Sequence, residues 1–313
     1  MTETPYSVTA FAPASVSNVA SGFDIMGFAL ESLGDTVTVR LSATPGVRIV
    51  GVTGFSEGIS LDVSRNTAGP PAAELCRRHG ARCGIEMEIH KGLAPGSGLG
   101  SSAASAAAAA VACNALLGIG LSNSDLLEYA LRGEELASGA RHADNVAPAL
   151  LGGFVLVRGY DPLDVVQLPV RASIWCAIVR PHLNISTRAS RLRLPAAVPL
   201  ADVVRQTGNT AGLVAGLLTG DYDLIGRSLH DVIAEPVRAG TIDGFFEMKH
   251  AALEAGALGC SISGSGPALF ALSREEASAC EIARAMGAVL DRRKEPHETH
   301  VSRINAQGAR LIQ

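Results

Sequence analysis

Alternation dominates the first ninety residues. Ser7-Val-Thr-Ala-Phe-Ala12 is a short alternating run that stops at Pro13, and Thr36-Val-Thr-Val-Arg-Leu41 has the period of two that a half-buried strand requires. Val47-Arg-Ile-Val-Gly-Val52 reads as the hairpin partner of the latter. Pro13-Ala-Ser-Val-Ser-Asn-Val-Ala-Ser-Gly-Phe-Asp24 is a polar loop rich in small residues, and Gly84-Ile-Glu-Met-Glu-Ile-His90 is a further strand. Helical spacing predicts a helix that follows Asn66, runs through His79 and ends at Gly80. It predicts another from Ser101 to about Leu117, and a third over residues 124–137 with Ser122 or Ser124 as N-cap. Residues 149–158 read as a turn and a strand.

The second half mixes the two periods. Strands are expected at 174–179 and 267–272, and helices at 201–218, 222–234, 245–255 and 274–286. Two prolines and polar residues around 161–170 mark the expected boundary between domains 1–165 and 166–313. The mixed order of strands and helices leaves one large domain or two moderate ones open.

The chain has 313 residues, 47% of them hydrophobic, enough for a sizeable core in one large domain or two moderate ones. The net charge is −4 and no block of like charges appears, so neither a nucleic-acid tail nor a polybasic membrane patch is expected. The longest apolar stretch, residues 103–117, is short for a bilayer and mostly alanine. Residues 1–6 carry neither a basic region nor an apolar one, and a cytoplasmic location is expected. Cys76, Cys83, Cys113, Cys176, Cys260 and Cys280 include no CxxC pair and match no zinc spacing; reduced thiols are expected.

The most informative stretch is Ala94-Pro-Gly-Ser-Gly-Leu-Gly-Ser-Ser-Ala-Ala104, set between a strand and an Ala-rich helix. Glycines at alternate positions (Gly96, Gly98, Gly100) permit positive φ and a close backbone approach to a ligand. The helix start adds unpaired N–H groups and the positive end of the dipole, which suits a triphosphate. Ser101 and Ser102 open the helix, where a hydroxyl either caps it or ligates Mg²⁺. No lysine follows the glycines, so this is not a Walker A loop, and GxGxG is not the dinucleotide spacing. A tight turn before a closely packed helix is the bland alternative.

Pro95-Gly-Ser-Gly-Leu-Gly-Ser-Ser-Ala103 resembles the phosphate loop of the GHMP kinases. Residues 13–24 resemble the N-terminal substrate motif of the homoserine-phosphorylating branch of that family. Cys260-Ser-Ile-Ser-Gly-Ser-Gly-Pro-Ala268 resembles the C-terminal glycine-rich motif. Arg141-His-Ala-Asp-Asn-Val-Ala-Pro148, Ser186-Thr-Arg-Ala-Ser-Arg191 and Asp231-Val-Ile-Ala-Glu-Pro-Val-Arg238 point to the same branch. Val237 stands where that branch has tyrosine, Asp243 where proline is common, and Ser190 where it has alanine.

The resemblance implies an N-terminal α/β domain like ribosomal protein S5 domain 2, with a left-handed βαβ crossover, and a C-terminal ferredoxin-like α+β domain. It implies an ATP-dependent kinase for a small-molecule alcohol. Pro95, Gly96, Ser97, Gly98, Leu99, Gly100, Ser101 and Ser102 would bind the nucleotide. Asn66 would contact adenine or cap a helix. Ser102 and Glu134 would hold Mg²⁺. For the zwitterion L-homoserine, Asp24 with Asn18 would meet the ammonium and Arg191 and Arg238 the carboxylate. His142, Asn145, Thr187 and Gly264 complete the substrate set. Asn145 would orient the attacking hydroxyl, Asp144 would hold the loop or a metal, and His142 would titrate or make a structural hydrogen bond. In-line attack with electrostatic stabilisation is the expected mechanism. Another GHMP small-molecule kinase, mevalonate- or shikimate-like, and a nucleotide-binding regulator without catalysis are the alternatives. The sequence is compatible with a homodimer.

Overall fold

A computed structural model describes residues 7–79 and 84–312; residues 1–6, the expected helix end at Gly80, and Cys83 lie outside the described residues. The chain builds β1 (Ser7–Ser17), β2 (Met26–Ser42), β3 (Gly46–Gly54), α1 (Gly69–Arg78), β4 (Gly84–Lys91), α2 (Ser101–Leu116), α3 (Leu127–Ser138) and α4 (Ala143–Leu151). β5 (Phe154–Tyr160), β6 (Leu163–Leu168), β7 (Trp175–Pro181), α5 (Thr187–Leu192), α6 (Leu200–Thr219) and α7 (Tyr222–Ser228) follow. α8 (Glu235–Arg238), α9 (Phe245–Glu254), β8 (Gly259–Ile262), β9 (Leu269–Ser273), α10 (Glu276–Arg293), β10 (His297–Arg303) and β11 (Arg310–Leu311) complete it.

The first sheet runs β11-β1-β2-β4-β3, with the β5–β6 hairpin added at the start of β2. β3 is not the hairpin partner of β2, as its position in sequence suggests. β4 lies between them, antiparallel to β2 and parallel to β3, with α1 in the crossover. β1 also does not stop at Pro13. It continues to Ser17 across a register shift between Pro13 and Ser15, a bulge being where a strand tolerates a residue without an N–H. α2 lies against β1 and β2 and is buried on nearly every side. Its alanines let three other helices, α1, α3 and α4, approach it closely. The long apolar run of the sequence is therefore the centre of the core, and among the described residues no helix is long and apolar enough to cross a membrane.

The second sheet is antiparallel throughout, in the order β10-β7-β9-β8. Counting only its own strands along the chain, the order is 4-1-3-2, the ferredoxin-like arrangement. α9 and α10 cover one face. Phe270 on β9 meets Phe28 on β2 edge to face with centroids 6.0 Å apart, which joins the two sheets. β6 runs through the expected boundary at 165/166 as the partner of β5, and the chain crosses to the second sheet between Leu168 and Trp175.

The helix expected at 222–234 breaks after Ser228 for a visible reason. Asp231 accepts the backbone N–H groups of Ile233, Ala234 and Glu235, and so caps α8 instead of continuing α7. Ser122 and Asp125 exchange hydrogen bonds in the turn before α3, as a capping box does.

Candidate active site

Residues 92–100 form the loop between β4 and α2. Gly96, Gly98 and Gly100 have φ of 69°, 82° and 67°, values open to glycine at no steric cost. A Cβ on Gly98 would stand 2.7 Å from the Ser263 carbonyl oxygen, and one on Gly100 would stand 2.1 Å from Ser15 Oγ. The loop is fastened to the C-terminal glycine-rich loop, because Ala268 N–H donates to the Ser97 carbonyl (3.2 Å) and Ser263 Oγ to that of Gly98 (2.6 Å). Lys91 is buried beneath, paired with Asp35 and donating to Ser101 O and Ser105 Oγ at 2.8 Å.

The two serines at the helix start differ. Ser101 Oγ donates to the Leu93 carbonyl (3.0 Å), which pins the loop. Ser102 Oγ lies in the cleft and donates to Glu134 Oε2 at 2.6 Å.

One cleft of about 340 Å³ gathers most of the expected residues. Pro95, Gly96, Ser97, Gly98, Gly100, Ser101 and Ser102 line its glycine-loop side, with Glu134 across from them. Asn18, Asp24, His142, Asp144, Asn145, Thr187, Arg191, Arg238 and Gly264 line the remainder. Two expected residues do not join them. Leu99 is buried in the core, and Asn66 lies outside the cleft. Both polar ends of the Asn66 side chain bond locally, Nδ2 to the Ser60 carbonyl and Oδ1 to the Ala68 N–H, while its neighbour Thr67 lines the cleft. Ser17, Ile59, Thr67, Ser186, Arg188 and Ser265 also line it, beyond the residues expected from the sequence. Ser186 and Arg188 fall inside the 186–191 motif, whereas Ile59 carries no local signal.

At the other end of the cleft, Arg191 makes a two-pronged ion pair with Asp24 (3.1 and 2.5 Å). Asn18 Oδ1 accepts the Asp24 N–H (3.0 Å), and its Nδ2 donates to the Gly264 carbonyl (2.9 Å). Arg238 donates to the same carbonyl (2.8 Å), and its buried Nε has no hydrogen-bond partner. Thr187 and Ser265 hydroxyls are 3.3 Å apart. His142 links the two ends of the cleft: Nδ1 lies 3.3 Å from Glu134 Oε1 and Nε2 3.3 Å from Arg191 Nη1. Burial alone would lower its pKa, but the Glu134 hydrogen bond and the charges of Asp144, Glu134 and Asp24 together raise it.

Asp144 and Asn145 differ as the serines do. Asn145 Oδ1 accepts a hydrogen bond from Ser15 Oγ (2.9 Å). Asp144 Oδ1 is buried with no hydrogen-bond partner. Burial first, and then the charge of Asp24, push the Asp144 carboxyl up to about 7.

That shift has a consequence for stability. A carboxyl with a raised folded pKa binds its proton more tightly in the folded state, so it costs stability as pH climbs from the ordinary carboxylate range to about 7. Asp144→Asn removes that cost. In melts of the ligand-free protein, the Tm of the variant relative to the parent should be several degrees more favourable at pH 8 than at pH 5. An equal difference at both pH values would contradict it.

The loop geometry is tested by filling it. Gly98→Val should weaken nucleotide binding about 100-fold or more, because its side chain would meet backbone of the C-terminal loop in a conformation valine avoids. Titration with a fluorescent ATP analogue, with circular dichroism as the fold check, reads this. Unchanged affinity in a folded variant would reduce the loop to a turn. Gly96→Ala, whose Cβ would have 3.5 Å to its nearest neighbour, should be milder.

A glycine-lined anion loop at a helix start, a serine–carboxylate pair beside it and a charged pocket beyond it define a phosphoryl-transfer enzyme acting on a small molecule. Residues 66–153 match the GHMP kinases N terminal domain and residues 213–292 the GHMP kinases C terminal domain. The chain belongs to the GHMP kinase family and uses ATP. It is 43% identical to a homoserine kinase of Chlorobium phaeobacteroides (strain BS1), over 97% of this chain and 99% of the relative. It is 47% identical to one of Chloroherpeton thalassium, over 89% and 91%. A crystal structure of homoserine kinase from Cytophaga hutchinsonii superposes with a TM-score of 0.97 at 48% identity, covering 100% of this chain and 99% of that one.

Proposed function

We propose that this protein transfers the γ-phosphoryl group of ATP to the side-chain hydroxyl of L-homoserine, giving O-phospho-L-homoserine for threonine synthesis. The observation that carries the substrate is the paired charge at the end of the cleft. A carboxylate, Asp24, is held against one guanidinium, Arg191, with a second, Arg238, buried nearby and incompletely hydrogen-bonded. An α-amino acid presents the complementary pair of charges on neighbouring atoms. The names of the full-length relatives support the same reading.

The donor chemistry beside the loop fits Mg²⁺. Ser102 and Glu134 are hard oxygen ligands in mutual contact, and a cation that keeps waters and nucleotide phosphates in its shell needs few protein ligands. When bound, Mg²⁺ would neutralise phosphate charge.

The protein's own groups do the rest. The loop amides and the start of α2 hold the phosphates. Asn18, Asp24, Arg191 and Arg238 hold the amino acid. Asn145, fixed by Ser15, orients the hydroxyl, and Asp144, whose buried carboxyl has a pKa near neutrality, stands beside it in the cleft wall. Positioning and electrostatic stabilisation supply most of the barrier reduction. A cytoplasmic location accords with this role. A homodimer that covers the exposed Leu200 and Val204 of α6 is proposed as its assembly, and sedimentation equilibrium reads it.

Arg191→Ala, Arg238→Ala and Asp24→Asn should each raise KM for L-homoserine about 10-fold or more and leave KM for ATP within about 2-fold, since each removes a charge from the same end of the cleft, away from the glycine loop. Parallel changes in both constants, or none, would move these residues out of the substrate pocket.

A further inference from the structure

The segment that carries Asp24 is held in an unusual backbone conformation. Asn18, Val19, Ala20 and Asp24, none of them glycine, have φ of 69°, 41°, 58° and 59°. A run of left-handed residues persists only where its surroundings impose it. Inside the segment, Asn18 supplies one restraint through the Asp24 N–H. Side chains from elsewhere in the chain add further restraints. Tyr160 donates to the Asp24 carbonyl at 2.9 Å. Two side chains of α6, Gln206 Nε2 (2.9 Å) and Thr210 Oγ1 (2.7 Å), donate to the Ser21 carbonyl.

Gln206 does more than hold this carbonyl. It is buried, and its Nε2 also donates to Asp231 Oδ1 (3.1 Å) while its Oε1 accepts the Val232 N–H (2.9 Å). Asp231 in turn accepts the Ala234 and Glu235 N–H groups at the start of α8, the short helix that ends in Arg238. One amide therefore touches both the loop that presents Asp24 and the turn that presents Arg238.

We propose that Gln206 is a positioning residue that sets the distance between the ammonium and carboxylate subsites. The proposal rests on the amino-acid reading of the cleft. An amide suits this position because it donates to a carbonyl and a carboxylate and accepts from an N–H at once, which neither a carboxylate nor an apolar side chain of that length can do.

A double-mutant cycle tests it. Gln206→Met should raise KM for L-homoserine about 10-fold and leave KM for ATP within about 2-fold. In an Arg238→Ala background the same substitution should add less than about 3-fold, because the group it positions is gone. Full additivity with Arg238→Ala, or a parallel rise in both KM values, would overturn the proposal and leave Gln206 a general packing residue. Should Gln206→Met fail to fold, Thr210→Val removes the companion clamp on Ser21 and should raise KM for L-homoserine about 2- to 5-fold without changing that for ATP; no change would count against the clamp. Hydrogen exchange in residues 18–25 of Gln206→Met should be faster than in the parent, and unchanged exchange would also overturn the proposal. Turnover of L-homoserine by the parent protein is read separately. Its absence would sink the functional reading, while the exchange measurement would still report on the clamp.

Discussion

Glu134→Gln should lower kcat by about 100-fold or more and shift the Mg²⁺ dependence to higher concentration. Glu134 is only 4% exposed, and its oxygens face the Ser102 hydroxyl and the His142 ring. Glutamine keeps the shape and can still accept from Ser102, so the fold should survive. What it loses is the negative charge beside the phosphate loop. Ser102→Ala removes a hard oxygen without changing charge and should give a smaller fall in kcat with the same direction of Mg²⁺ shift. Steady-state rates at saturating ATP across a MgCl₂ series read both. A normal Mg²⁺ dependence in the two variants would remove them from the metal site.

Much of this cleft is legible in the sequence, for a physical reason. The phosphate loop is a contiguous stretch whose glycines, small residues and helix start all serve one local geometry, so its residues sit together in sequence as well as in space. Strand pairing is different. The Val47–Val52 strand has the same alternation whether it pairs with β2 or β4, and only the sheet shows β4 inserted between them. Pro13 looks like the end of β1 because the bulge that accommodates it depends on the bend of β2 beside it. α4 leaves little helical signal because it is short and contains Pro148. Its place against α2 and β1 is what aligns Asp144 and Asn145 with the cleft.

The supporting polar groups are the least visible. Ser15 fixes Asn145 across a sequence separation of 130 residues, and Gln206 reaches Ser21 across 185. Neither residue type marks itself out, since other serines, and glutamines such as Gln167 and Gln307, face solvent. Asn66 does not cap α1, whose cap position is Ala68 without a side-chain cap bond; it makes turn bonds to Ser60 and Ala68, and Thr67 beside it lines the cleft. Lys91 illustrates the reverse. In a lysine-poor chain it stands out only as not being a Walker lysine, yet it is buried under the helix start in a pair with Asp35. Burial lowers its pKa while Asp35 opposes that shift.

A cleft that reads an α-amino acid by both its charges should reject a substrate lacking either one. Removing the amine would leave Asp24 with Arg191 alone and take away the charge-assisted hydrogen bonds the ammonium makes, and a site built to bind such a group discriminates by about 1,000-fold or more. The direct measurement is kcat/KM for L-homoserine, 4-hydroxybutyrate and mevalonate in one coupled ADP-release assay at fixed Mg²⁺ and ATP. L-homoserine should lead both others by at least about that factor. Equal turnover of 4-hydroxybutyrate or mevalonate would contradict this and leave a GHMP kinase whose pocket recognises something other than the amino-acid zwitterion.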